Sequence, residues 1–251
     1  MAGTRPARRR DRRPAIVFLH GTRLTGAQWA SQIASLAGEF RCVAPDLPGH
    51  GTAAGTPFTL DGAADSVVRT IEEEAGGRAV VVGLSLGGYV AMEVAARRPD
   101  CVAGLVLAGA TAEPVGPRSL LYRGLATIFG SLDESLLKRV NRWFFRARFP
   151  PEIAAPIVAG GFHFRGGAVA VRALVGERFR PRLARYPGPA LLLNGEFDLL
   201  FRLGARDFAE AAVAARAMTL PRATHLSNLD RPALFTAAVR RFAREVDRPL
   251  E

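Results

Sequence analysis

The chain has 251 residues, enough for one large α/β domain with a buried core. Hydrophobic residues make up 49% of it, but no apolar run approaches the roughly 20 residues that cross a bilayer, which argues against a membrane-spanning protein. The net charge is +11, yet every basic residue except Lys138 is arginine, and the arginines are spread along the chain. This pattern indicates a compositional bias rather than a nucleic-acid-binding surface.

Residues 1–14 form the one concentrated basic segment, with six arginines between Arg5 and Arg13. We expect a solvated, disordered tail, with contact to an acidic partner or a membrane surface as the alternative. The apolar stretch Ala15–Leu19 is too short for a signal-peptide core, and no small-residue cleavage site follows it. We therefore expect a cytoplasmic protein, and we expect Cys42 and Cys101 to be reduced packing residues rather than a disulfide or a metal pair.

Strand-like and helix-like segments alternate along most of the chain. This order predicts a mostly parallel sheet of about six strands, with helices on both faces. The predicted strands are Ala15–His20, Arg41–Pro45, Arg78–Gly83, Val102–Ala108, Ala190–Asn194 and Ala217–Leu220. The predicted helices are Ala27–Gly38, Leu60–Ala75, Leu86–Arg98, Leu203–Ala215 and Arg231–Val246.

One long interval, residues 111–187, contains no strand-like segment. An insertion of this length between two core strands predicts a helical subdomain, and we interpret it as a cap over a site at the carboxyl ends of the strands. The core is then formed by residues 15–110 and 188–251. The helices expected in the cap are Leu120–Phe129, Glu134–Phe145 and Ala168–Phe179.

The stretch "VVVGLSLGGYV", which begins at Val80, places Ser85 where a strand turns sharply into a helix. Glycines two residues before and two residues after the serine remove side chains that would collide at such a turn. A G-x-S-x-G motif in this strand–turn–helix setting is typical of a nucleophilic serine.

A serine hydroxyl needs a general base, and the chain has only four histidines. His225 lies on the loop after the last predicted strand, which fits the order nucleophile, acid, base that accompanies this turn. We expect His20 and His50 to anchor loops, and His163 lies in the predicted cap. No metal or cofactor is expected.

The orienting acid should lie on the loop after the preceding strand, in "NGEFD". Asp198 is the favoured residue and Glu196 is the alternative. The oxyanion that forms during attack needs two N–H donors. We expect these from Leu86, which follows the serine, and from the loop after the first strand, where Thr22 is preferred over Arg23.

The predicted cap suggests the kind of substrate. Its segment Pro114–Pro187 carries 13 basic residues against four acidic ones, and the cap is rich in aromatic residues. These features predict a small molecule with an apolar acyl group, with or without an anionic group. The tentative substrate contacts are Arg23, Trp143 and Phe162, whereas Trp29 is expected to pack in the core.

Together these motifs resemble the α/β-hydrolase superfamily, in particular its small capped members related to lactonases, esterases and cofactor-free haloperoxidases. The residues that carry the resemblance span nearly the whole chain: His20-Gly21, "PDLPGHG" at Pro45–Gly51, "GLSLGG" at Gly83–Gly88, "NGEFD" at Asn194–Asp198 and "THLSNLDRP" at Thr224–Pro232.

This resemblance implies a serine hydrolase with Ser85, Asp198 and His225 as its triad. Serine at position 85 argues against the dehalogenase and epoxide hydrolase branches, which carry an aspartate there. Members of the superfamily usually have an antiparallel hairpin before the "HG" strand. Only about 14 residues precede that strand here, so we expect six strands rather than eight.

Three functions remain open at this stage. The first is hydrolysis of a carboxylic ester or lactone through an acyl-enzyme. The second is cleavage of a carbon–carbon bond, or a lyase reaction, by the same triad. The third is ligand binding without catalysis, since a fold alone does not fix a function. The sequence leaves the oligomeric state open.

Overall fold

The apolar runs predicted as strands form one parallel sheet in the computed structural model, which describes residues 13–247. Within these residues the sheet has six strands, in the spatial order β2-β1-β3-β4-β5-β6. Every pairing is parallel, which confirms the predicted architecture. In chain order the strands are β1 Ala15–Leu19, β2 Arg41–Val43, β3 Ala79–Leu84, β4 Val102–Ala108, β5 Pro189–Gly195 and β6 Ala214–Leu220.

Helices connect the strands. Those outside the long interval are α1 Ala30–Leu36, α2 Leu60–Glu74, α3 Leu86–Arg97, α9 Leu199–Ala211, α10 Ser227–Asp230 and α11 Pro232–Asp247. Between β4 and β5 lie α4 Ser119–Ser131, α5 Glu134–Arg148, α6 Pro151–Gly160, α7 Phe164–Leu174 and α8 Arg180–Ala184. We refer to α4–α8 as the inserted helices.

Alternation along the strands divides the core into two layers. In β1, Val17 and Leu19 belong to one buried cluster, whereas Ile16 and Phe18 belong to the other. The first layer packs under α2, α3 and α9, and the second packs under α1 and α11. Successive residues of a strand point to opposite faces, so each apolar run supplies both layers.

The strand order also fixes where a site can form. The chain passes from β1 outward to β2 and returns to β3 on the other side of β1, so the direction of winding changes between β1 and β3. The two strands are in register, with Leu19 opposite Gly83. The loop after β1 and the turn after β3 therefore meet at the carboxyl edge, at the switch point where such sheets bind ligands.

Several local predictions were wrong. Helix α6 was not predicted, because Pro150, Pro151 and Pro156 suggested a loop; Pro151 instead occupies the first turn, where its missing N–H costs nothing. Helix α9 begins at Leu199, four residues early, and β6 includes Ala214 and Ala215, whose small side chains looked helical. Helix α7 begins at Phe164 and ends at Leu174 rather than spanning 168–179.

Predictions were also made for the basic tail, for the two cysteines and for membrane-spanning helices. The basic tail, residues 1–14, lies outside the described residues except for Arg13 and Pro14. Cys42 and Cys101 are free thiols, and burial raises the pKa of Cys42 to about 11. No helix between residues 13 and 247 is long and apolar enough to span a bilayer.

Candidate active site

Ser85 lies in the sharp turn between β3 and α3. Its backbone adopts φ 54° and ψ −116°, a strained conformation for a residue other than glycine. The Ser85 N–H donates to the Ala108 carbonyl at the end of β4, 2.8 Å away, which ties the turn to the neighbouring strand. A Cβ at Gly87 would collide with the Leu19 carbonyl of β1, so glycine is required for this close approach.

Asp198 and His225 form a pair on two adjacent loops at the same edge. The His225 Nδ1 and Asp198 Oδ2 atoms are 2.9 Å apart. The Asp198 side chain is only 8% exposed, whereas that of His225 is 37% exposed. Phe201 stacks on the imidazole with ring centroids 4.9 Å apart. This arrangement holds one ring nitrogen against the carboxylate, so the other ring nitrogen is available for proton transfer.

Glu196, the alternative acid, is engaged elsewhere. Its Oε2 atom accepts the Arg222 N–H at 2.6 Å, in the turn that follows β6. The structure therefore brings Asp198 to His225, and it gives Glu196 a backbone contact instead.

A buried hydrogen-bond network that was not predicted lies behind the acid loop. Asn194 Oδ1 accepts the Gly109 N–H at 3.0 Å, and Asn194 Nδ2 donates to Thr111 Oγ1 at 3.0 Å. The Thr111 hydroxyl donates to the Phe201 carbonyl at 2.5 Å. The network joins the ends of β4 and β5 to the start of α9. The sequence does carry one signal for this network: Asn194 is a polar residue at the end of the apolar run "ALLLN".

The loop after β1 is held by two buried histidines. His20 Nε2 accepts the Leu47 N–H at 2.9 Å, and His50 Nε2 accepts the Arg23 N–H at 3.2 Å. Burial, reinforced by the neighbouring His50, lowers the pKa of His20 to about 3; burial also lowers the pKa of His50 to about 4. Both rings are therefore neutral near pH 7 and can accept backbone N–H groups.

The geometry of this loop decides which of the expected oxyanion donors has a free N–H group. The Arg23 N–H is occupied by His50, whereas the Thr22 N–H and the Leu86 N–H have no acceptor among residues 13–247. Leu86 is the first residue of α3, where unpaired N–H groups and the helix dipole favour negative charge. The two preferred donors are thus free to bind an oxyanion.

One cavity of about 210 Å³ contains the candidate residues. It is lined by Thr22, Ser85, Leu86, Tyr89, Leu121, Tyr122, Leu125, Val171, Leu174, Asp198, Leu200, Phe201 and His225. Helices α4 and α7 contribute five of these residues, which cover the side opposite the strand ends. The lining includes no arginine or lysine, so the cavity itself suits an apolar group.

The predicted substrate contacts do not line this cavity. Trp143 is 70% exposed on α5. Phe162 is buried against Phe145, with ring centroids 5.4 Å apart, because it packs the inserted helices onto one another. Arg23 follows Thr22, but its side chain extends between α4 and α5. Their role as substrate contacts stays a prediction.

The remaining histidine lies near the other two loop histidines. The His50 and His163 ring centroids are 6.2 Å apart, and those of His20 and His50 are 5.0 Å apart.

Trp29 packs in the core against Phe18, as expected. Over the described part of the chain, no cluster of three or more His, Cys, Asp or Glu side chains is arranged to hold a metal ion.

Comparisons with known proteins agree on one family. The model of the alpha/beta hydrolase family matches residues 16–238. A pimeloyl-[acyl-carrier protein] methyl ester esterase from Nitrosomonas europaea is 29% identical, with 89% of this chain and 93% of the relative covered.

Solved structures give the same result. The enol-lactonase from Burkholderia xenovorans LB400 superposes with a TM-score of 0.80 at 26% identity, covering 94% of each chain. A thermophilic esterase from Thermogutta terrifontis has a TM-score of 0.77 at 24% identity, covering 94% of this chain and 91% of the esterase. At that lower identity the likeness concerns the fold alone.

Proposed function

Because the chain belongs to the alpha/beta hydrolase family, we propose that it is a serine hydrolase that cleaves a carboxylic ester or a lactone. Its triad is Ser85, His225 and Asp198. The observation that carries this proposal is the 2.9 Å contact between His225 and Asp198 in a cavity that Ser85 also lines. Relatives named as a methyl ester esterase and an enol-lactonase support the choice of bond.

The reaction proceeds in two halves. His225 takes the Ser85 proton as the serine oxygen attacks the carbonyl carbon, and Asp198 stabilises the imidazolium that forms. The Thr22 and Leu86 N–H groups bind the oxyanion; losing one such donor typically costs about 10²–10³ in rate. The tetrahedral intermediate collapses to an acyl-enzyme, and His225 returns the proton to the departing alcohol or enol. Water then releases the acyl group by the same route.

The inserted helices act as the cap in this proposal. Residues of α4 and α7 cover the acyl pocket, and leucine, valine and aromatic side chains around Ser85 favour an apolar acyl group. In this proposal the cap spans residues 111–187, and the core comprises residues 15–110 and the described residues 188–247 of the predicted segment 188–251.

The test is labelling with a fluorophosphonate, followed by intact mass and peptide mapping. We expect a single adduct on Ser85 that is lost in Ser85→Ala and strongly slowed in His225→Ala. Ser35→Ala, a serine on α1 whose hydroxyl bonds the Ser31 carbonyl, is the matched control and should label normally. Release of the acid from ester and lactone panels then identifies the bond. A folded wild-type protein that forms no adduct would contradict the proposed triad.

A further inference from the structure

The backbone of Arg23 is fixed in an unfavourable conformation next to the oxyanion loop. Its φ is 60°, in the left-handed region that favours glycine. Its N–H donates to His50 Nε2 at 3.2 Å, and its carbonyl accepts the His163 N–H at 2.9 Å. Both backbone polar groups are thus held, so the direction of the side chain is set by the loops around it.

The Arg23 side chain is a half-buried cation without a counter-ion. Its Nε donates to Asn141 Oδ1 at 3.0 Å, and its guanidinium carbon lies 5.8 Å from the centroid of the Phe129 ring. No carboxylate between residues 13 and 247 pairs with it. The two Nη nitrogens make no hydrogen bond to a described residue, and they are not among the fully buried polar atoms that lack a partner. Burial lowers the pKa of Arg23 to about 10.

Arg182 gives an internal comparison. It lies in α8, with a side chain 22% exposed, and it pairs with both Glu93 and Glu177. A half-buried guanidinium is normally stabilised in this way, because desolvation of an unpaired charge is costly. Arg23 combines that cost with backbone strain, and the described residues offer it only a neutral amide and an aromatic ring.

The position of Arg23 places this cation beside the cavity. Thr22, the preceding residue, lines the cavity together with Leu125 of α4. Phe129, which contacts the guanidinium, follows Leu125 by one turn of the same helix, about 6 Å along its axis. The guanidinium therefore lies about one helical turn along α4 from a residue of the cavity wall.

We propose that the two Nη nitrogens of Arg23 bind an anionic group, a carboxylate or a phosphate, carried on one arm of the substrate. A guanidinium offers two parallel N–H donors that match either anion. This inference rests on the proposed function, since it names the substrate class for the same site. It also gives the substrate contact predicted at Arg23 a place in the structure, between α4 and α5.

Anion binding can be measured without catalysis. Isothermal titration of wild-type protein with inorganic phosphate and with adipate distinguishes the two anions, with hexanamide as the uncharged control. In Arg23→Gln we expect the affinity for the preferred anion to fall about 10- to 100-fold, as is typical when a charged hydrogen bond is lost. Arg142→Gln, an exposed neighbour on α5, should bind as wild type does. Equal binding by the two variants, or no anion binding by wild type, would overturn the proposal.

Asn141→Asp is a second variant that does not depend on removing the arginine. It places a carboxylate 3 Å from the Arg23 Nε and supplies the missing counter-ion. We expect a protein at least as stable as wild type, with anion affinity reduced about tenfold by the competing charge. A purely structural arginine would gain stability without any change in anion affinity, which would contradict the proposal.

Kinetics complete the test and separate it from the proposed function. Methyl hexanoate and monomethyl adipate have the same chain length and differ by one terminal carboxylate. Arg23→Gln should lower kcat/KM for the adipate ester about tenfold and leave the hexanoate ester within about threefold. Anion binding without hydrolysis of either ester would sustain the Arg23 site and count against the proposed function. Ester hydrolysis without anion binding would do the reverse.

Discussion

The carboxyl edge of the sheet and the inserted helices differ in how their side chains are held. At the sheet edge, buried hydrogen bonds fix the key groups, as with Asp198 and His225 or with Asn194 and Gly109. The inserted helices place more of the large apolar side chains in solvent, such as Leu120 at 69% and Trp143 at 70% exposed. The difference indicates that the proposed chemistry depends on a rigid frame, whereas the proposed cap can vary with little cost to folding.

The sharpest test of the rigid edge compares its two acids. In Asp198→Asn the side chain can no longer hold the His225 tautomer or stabilise the imidazolium, so kcat should fall about 10⁴-fold. Glu196→Gln changes a neighbouring carboxyl that only accepts the Arg222 N–H, and its kcat should stay within about threefold of wild type. Steady-state hydrolysis of one ester checks both variants. A large loss in Glu196→Gln with kcat retained in Asp198→Asn would mean that Glu196 serves as the acid.

The two tryptophans of the chain compare the regions by stability. Trp29 is fully buried against Phe18 and Phe235, so Trp29→Ala should lower the free energy of unfolding by about 3–5 kcal/mol. Trp143 lies exposed on α5, and Trp143→Ala should change that free energy by less than about 0.5 kcal/mol. Urea denaturation measures both. A large loss at Trp143 would show that the exposed face of α5 is covered by a partner in solution.

The buried histidines predict how acid weakens the sheet edge. His50 has its ordinary pKa near 6.5 when unfolded and a pKa of about 4 when folded, lowered by burial and by the nearby His163, with the Pro48 carbonyl and Asp46 opposing. Between these values the unfolded state binds the extra proton, so stability falls as the pH drops from 6.5 towards 4. His50 alone accounts for a loss of about 3 kcal/mol.

Urea denaturation at several pH values measures how the free energy of unfolding changes with pH. His50→Gln retains a side-chain acceptor for the Arg23 N–H but does not titrate, so the loss of stability with acid should shrink by roughly half. His20, whose folded pKa is about 3 mainly because it is buried, contributes in the same direction over this pH range. An unchanged slope in His50→Gln would mean that this ring is not the neutral acceptor described above.

The sequence predicted the parts of this molecule that local patterns determine. Short apolar runs between helical segments identified all six strands of residues 13–247, and the sharp turn at Ser85 was predicted from its flanking glycines. Asp198 and His225 could be named because each follows a strand run in the expected order. The Asn194–Thr111 contact could not, because it joins residues 83 positions apart whose meeting depends on the packing of β4 against β5. The cavity wall likewise depends on how α4 and α7 fold back over the sheet.

Gly109 and Gly116 offer a matched pair across the boundary between the two regions. Their φ angles are 54° and 55°, so alanine at either position carries the same backbone strain. A Cβ at Gly109 would lie 2.8 Å from the His225 ring and 3.2 Å from Asp198 Oδ2, whereas a Cβ at Gly116 would meet nothing within 4 Å. Gly109→Ala must therefore displace Asp198 and His225, the proposed catalytic pair, and a misplacement of about 1 Å can cost about 10²-fold in kcat.

Gly116→Ala should share the loss of stability, about 1 kcal/mol from the left-handed conformation, and keep kcat within about threefold of wild type. Measuring kcat and the unfolding free energy for both variants separates strain, which they share, from displacement of His225, which only Gly109→Ala causes. If both variants lost activity equally, the segment before α4 would be as tightly coupled to the catalytic pair as β4 is. The difference in rigidity between the sheet edge and the inserted helices would then not hold for the segment that connects β4 to α4.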